Sequence, residues 1–164
     1  MKRFLLAMLF LAFAGLGFAQ EKAPKSPRVT VENKAVKISY GQPSKRGRVI
    51  FGTLESFGKV WRTGANEATE ITFNKDVVFG GKPVKAGTYT LFTIPDPKTW
   101  TVILNTSHGL WGAYDYDKVK DKDVVNIQVP REALSKPVEK LTFTLPANAV
   151  VFEWDDTKFT VPVK

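Results

Sequence analysis

Over most of this chain, valine, isoleucine and aromatic residues recur at every second position, against threonine, lysine and other polar neighbours. A period of two marks strands with one buried face. Val29 and Val31 alternate with Thr30 and Glu32, Asn33-Lys34 supplies a turn, and Val36, Ile38 and Tyr40 alternate with Lys37 and Ser39. This predicts a hairpin. Ile71 and Phe73 carry the same pattern, Asp76–Phe79 reads as a strand, and Gly80-Gly81 permits a tight turn.

From Thr88 to Ile94 the apolar side chains fall on both faces, with Tyr89 and Leu91 on one and Phe92 and Ile94 on the other. Such a strand belongs in the middle of a sheet. Pro95-Asp96-Pro97 ends it. Trp100–Leu104, then Val125, Ile127 and Val129, then Leu141, Phe143 and Leu145 continue the series. A closing hairpin is predicted from Val150, Phe152 and Trp154, through an Asp155-Asp156 turn, to Phe159, Val161 and Val163.

Two stretches break the alternation. Gly41–Gly58, "GQPSKRGRVIFGTLESFG", is glycine-rich and basic, with one apolar piece at Val49–Phe51. Asn105–Asp123, "NTSHGLWGAYDYDKVKDKD", is aromatic and glycine-punctuated. Arg131–Lys140 has room for one helical turn, limited by Pro137. About nine or ten short strands without intervening helices predict an all-β, two-sheet antiparallel sandwich, with a closed barrel as the alternative.

The N-terminus adds an address. Lys2 and Arg3 precede an uncharged apolar run from Phe4 to Phe18, followed by Ala19 and the polar Gln20-Glu21-Lys22. This is the pattern of a cleaved secretory leader over residues 1–19. It is shorter than the ~20 apolar residues of a spanning helix. With no cysteine, a lipoprotein anchor and disulfides are both excluded. Residues 20–27 read as a flexible lead-in and 28–164 as one β-sandwich domain, expected in the periplasm or outside the cell.

Loss of Lys2 and Arg3 with the leader leaves 22 basic and 16 acidic residues, a net charge of +6. The lysines are scattered among acids, which describes a solvated surface better than a nucleic-acid footprint. No nucleic-acid partner is expected.

Several chemistries lack their residues. One histidine, His108, cannot build a histidine zinc site, and no glycine loop opens a helix to cradle phosphate. Asp115, Asp117, Asp121 and Asp123 are interleaved with Lys118, Lys120 and Lys122 and match no calcium loop. No metal and no cofactor are expected.

The segment Trp61–Thr69, "WRTGANEAT", is the best site candidate. Arg62 offers a planar fork for a carboxylate or phosphate. Asn66 can donate and accept, and Glu67 can accept or, if buried, act as general acid or base. Arg46 and Arg48 would attract an anion, while Trp61, Trp111, Tyr114 and Tyr116 supply flat faces for a sugar ring. The competing reading is a pinned corner in which Arg62 pairs with Glu67, Asn66 satisfies backbone groups and Trp61 is core.

"YGQPSKRGRVIFG" (Tyr40–Gly52), "GKVWRTGANEATEITF" (Gly58–Phe73), "AGTYTLFTIP" (Ala86–Pro95) and "WGAYDY" (Trp111–Tyr116) together resemble the successive motifs of domain-of-unknown-function family 2911. The resemblance implies export from a Gram-negative cell and a β-rich domain, and brings no established activity. Its recurrent polar positions fall on Arg46, Arg48, Arg62, Asn66, Glu67 and Thr69.

Three functions are open at this point. The first is a module binding a carbohydrate or other anionic cell-envelope component. The second is a glycoside-cleaving enzyme pairing Glu67 with Asp115 or Asp117. The third is a structural envelope protein, in one variant carrying a lysine–asparagine isopeptide bond beside a buried Glu67.

Overall fold

The computed structural model describes residues 26–164, so the expected leader and most of the lead-in lie outside the described residues. The alternating segments become strands β1 (Arg28–Glu32), β2 (Val36–Gly41), β3 (Thr69–Phe73), β4 (Val77–Phe79), β5 (Lys82–Val84), β6 (Gly87–Ile94) and β7 (Thr99–Asn105). After a short helix, α1 (Tyr116–Val119), and a turn of 3-10 helix at Lys120–Lys122 come β8 (Asp123–Pro130), β9 (Glu132–Thr144) and β10 (Ala149–Pro162).

One layer is a six-stranded antiparallel sheet in the order β1-β2-β3-β6-β7-β8. The other is built on the β9–β10 ladder. The β4–β5 hairpin joins it through paired bonds between Val78 and Lys164 at 2.8 and 3.0 Å. On its far side, residues 43–45 bond to β9, with Lys45 N–H donating to Glu139 O at 2.7 Å and Leu141 N–H to Pro43 O at 3.0 Å. The sheets do not close into a barrel. The fold is an all-β sandwich.

Inward residues of both layers form one core, including Ile38, Ile71, Leu91, Trp100, Phe143, Phe152 and Phe159. Phe51, from the first excursion, inserts into it and contacts Trp61, Trp100 and Trp154 edge-on. β6 sits between β3 and β7, and its second apolar face is covered too. Phe92 and Ile103 pack there under Val60, Leu110, Ala113 and Tyr116. The aromatic excursion is therefore folded back over the outer face of the sheet.

Two expectations are corrected. The closing segment is not a hairpin but one long strand, β10, paired to β9 from Val151 to Lys158 and bulged at Asp155, whose φ is 53°. Burial falls on Val150, Phe152 and Trp154, then changes parity to Thr157, Phe159 and Val161. A one-residue change of phase is the mark of a bulge. Arg131–Lys140 forms no helical turn, because Glu132 onward belongs to β9. Pro137 lies where the β9 register slips between Val138 and Ala133, so it interrupts no regular ladder.

Candidate functional site

The corner is assembled from backbone outward. Trp61 extends the sheet beyond β3, donating its N–H to Thr93 O at 2.7 Å and accepting from Thr93 N–H at 3.0 Å. That pairing sends its indole into the core, only 4% exposed and stacked on Trp154 at 5.9 Å and 17°. Thr63 turns the chain at φ 54°, its hydroxyl shared with Leu91 O and Thr93 Oγ1. Main-chain bonds then stitch both excursions to the corner. Ala65 N–H donates to Gly41 O at 3.1 Å, Ala68 N–H to Leu110 O at 2.9 Å, and Gly112 N–H to Asn66 O at 3.1 Å.

This stitching creates a cleft of about 390 Å³ lined by Leu54 and Glu55, by Val60, Trp61 and Arg62, and by Ala113 and Tyr114. A smaller cavity of about 210 Å³ shares Leu54, Glu55 and Arg62 with it and reaches Arg48. The wall between the two is therefore a carboxyl beside a guanidinium. Glu55 is held by the tight turn Ile50–Glu55, closed by Glu55 N–H to Ile50 O at 2.9 Å and Gly52 N–H to Glu55 O at 2.8 Å. Gly52 carries φ 83° and lies beneath the Phe57 ring, so this turn needs glycine.

Burial pushes the Glu55 carboxyl up to about 7, against the opposing pull of the Arg62 and Arg48 charges and of the Trp61 indole. The carboxyl is thus poised between its donor and acceptor forms near neutral pH. Trp61 Nε1–H faces it but completes no hydrogen bond of ordinary geometry, and remains buried without a partner. Arg62 Nε donates to Gly64 O at 3.2 Å, while its Nη1 lies against Gly112. Among the described residues, no carboxylate forms an ion pair with it.

The family model described as a protein of unknown function (DUF2911) matches residues 23–163, nearly the whole chain. The chain belongs to the DUF2911 family. No curated protein and no solved structure matches it.

The sequence-selected residues of this DUF2911 chain separate into groups. Trp61 and Arg62 line the cleft, and Arg48 lines the adjoining cavity. Arg48 is braced by bonds from Nε to Lys45 O and from Nη2 to Ser44 O. Arg46 is exposed at φ 50°, with its backbone N–H on the Glu139 carboxylate at 2.8 Å.

Asn66 and Glu67 line neither the cleft nor the adjoining cavity. Asn66 adopts φ 64° and directs Nδ2 to Ser26 O at 3.2 Å. Glu67 is exposed, makes no ion pair with Arg62, and contributes its carbonyl to Arg28. It therefore lacks the burial that a general acid or an isopeptide-promoting carboxyl needs. Trp111 is exposed and its backbone bridges Glu67. Tyr116 packs on Phe92 and donates its hydroxyl to Asp123 at 2.5 Å, so its ring is committed to the outer face. Asp115 and Asp117 pair with Lys118 and Lys120 at 2.7 and 3.4 Å and do not line the cleft.

Four cleft residues were not selected from the sequence: Leu54, Glu55, Val60 and Ala113. Glu55 did leave a signal, being the only acid between Gly41 and Gly58 in an otherwise basic stretch.

Proposed function

We propose that this protein is an exported module that binds a carbohydrate carrying an acidic group in the cleft between Glu55 and Tyr114. One observation carries the reading: the buried Trp61 Nε1–H without a partner, beside the poised Glu55 carboxyl and an Arg62 without an ion-pair partner among the described residues. Buried polar groups are ordinarily satisfied, and a concave cleft on which a few polar groups converge is the common form of a small-ligand site.

Each group has a role. Arg62 grips the acidic substituent, with Arg48 adding positive potential from the adjoining cavity. Glu55 meets hydroxyl groups, and the ring of Tyr114, 78% exposed, offers a face to the sugar. Net positive charge and the expected leader fit an anionic ligand met outside the cytoplasm.

Turnover is the second reading, because a carboxyl titrating near 7 suits a general acid. Glycoside cleavage needs a second carboxyl, and the lining residues of the cleft include none besides Glu55. Binding is favoured.

The test is calorimetric titration with uronic-acid oligosaccharides and their neutral counterparts. Binding of the acidic set alone, abolished in Arg62→Ala and weakened in Tyr114→Ala at unchanged thermal stability, supports the assignment. Equal affinity of wild type and Arg62→Ala, or preference for the neutral set, overturns it. Release of reducing ends would replace binding by turnover.

A further inference from the structure

Five large hydrophobic side chains are exposed on the two excursions that meet at the cleft: Val49, Leu54, Phe57, Trp111 and Tyr114. Leu54 and Tyr114 line the same cleft, and the Phe57 ring covers Gly52 of the turn that carries Leu54. Val49 follows Arg48 of the adjoining cavity, and Trp111 precedes Gly112, which lies against Tyr114 and Arg62, so the five gather around the cleft. Trp111 and Val49 are 58% and 61% exposed, far more than packing alone would leave.

The same region is basic. Arg46 and Arg48 on the first excursion and Lys59 directly after it are exposed, and none forms an ion pair with a described residue. The one acid of that excursion, Glu55, is half-buried in the cleft wall, where burial favours its neutral form. The acids nearby are Glu139, on the Arg46 backbone N–H at 2.8 Å, and Glu67, bridged to Trp111. Apolar loop tips beside cations without ion pairs combine insertion into hydrocarbon with attraction to anionic headgroups.

We propose that this end of the sandwich docks on an anionic lipid surface, with Val49, Phe57 and Trp111 entering the headgroup boundary and Arg46 and Lys59 contacting lipid phosphates. The tips stand on separate loops rather than along one groove. A fluid bilayer accommodates separate tips, whereas a protein partner must match their shape. Docked in this way, the cleft mouth faces the membrane. The proposal does not depend on the carbohydrate assignment.

The experiment is co-sedimentation of the mature chain (Gln20–Lys164) with vesicles of phosphatidylcholine alone or mixed with phosphatidylglycerol. Binding is expected to the anionic vesicles only and to weaken as salt rises. Val49→Ser/Phe57→Ser and Arg46→Gln/Lys59→Gln avoid the cleft lining, and each is expected to weaken binding about tenfold or more. No binding to anionic vesicles, or binding that ignores both double variants, overturns the proposal. Retention of an envelope protein in place of vesicles, lost in the same variants, assigns the surface to a protein and also overturns it. Vesicle binding that survives Arg62→Ala, with carbohydrate binding absent, would sink the carbohydrate reading and leave this one standing.

Discussion

The Lys45 ammonium and the Asp155 carboxylate form an ion pair where the basic excursion crosses the bulge of β10. Asp155 also accepts the Ile50 N–H at 3.2 Å. One carboxylate, 6% exposed, thereby anchors the turn that presents Glu55. Asp155→Asn keeps an acceptor and tolerates φ 53° but leaves Lys45 without its counter-charge. With Lys45 partly exposed, we expect a loss of about 2 kcal/mol, below the ~3–5 kcal/mol of a fully buried pair. Asp155→Ala adds the ~1–2 kcal/mol of left-handed strain. Urea unfolding midpoints check the order wild type, Asn, Ala.

Glu55 makes stability fall as pH rises. Its carboxyl titrates at about 7 in the fold against 4.5 for an unperturbed glutamate, so between these values the native state holds more proton than the unfolded chain. Stability from this group is fully present below pH 4.5 and lost as pH passes about 7. The lowered carboxyls Asp76, Asp96 and Asp156 act in the opposite sense and at lower pH. Denaturant unfolding across this window is expected to slope downward in wild type relative to Glu55→Gln. Parallel curves would show that Glu55 is solvated.

Three side chains beside Glu55 draw its carboxyl down against burial: Arg62 most, then Arg48, then Trp61. Removing Arg62, the largest of these influences, raises its titration further above about 7, and Trp61→Phe does so by less. Carbon-detected NMR titration of the Glu55 side chain reads both shifts. A fall in either variant would mean that the carboxyl does not face them.

Gly41 is fixed by contact rather than by φ. A Cβ there would lie 1.9 Å from Ala65 O, in the backbone of the corner. Gly41→Ala is expected to cost at least the ~1–3 kcal/mol of an overpacked site and to weaken carbohydrate binding by displacing the corner. Gly47, at φ 70° with nothing near its Cβ position, is the control. Gly47→Ala costs only the ~1–2 kcal/mol of left-handed strain and leaves binding alone. Thermal unfolding together with titration separates the two.

The sandwich is legible in the sequence because alternation is local: Val36–Ile38–Tyr40 and Val125–Ile127–Val129 each declare a buried face without reference to the rest of the chain. The β10 bulge is not, because two aspartates between apolar runs look like a turn. The change of parity from Trp154 to Phe159 is the sign that distinguishes it. Glu55 escapes because its character is not local. Its neighbours Arg48 and Arg62 lie seven positions away on either side, and a fold is needed to bury it between them. Trp61 defeats a choice between core and site, since its ring belongs to one and its Nε1–H faces the other.

That double position makes the molecule its own optical gauge. Two indoles stacked at 5.9 Å, Trp61 on Trp154, couple their electronic transitions, and Trp100 stands 6.3 Å from the first of them. A ligand that strips solvent from the cleft alters the environment of one member of this coupled set. Occupancy of the cleft should therefore appear in near-ultraviolet circular dichroism and in native emission, with no label attached.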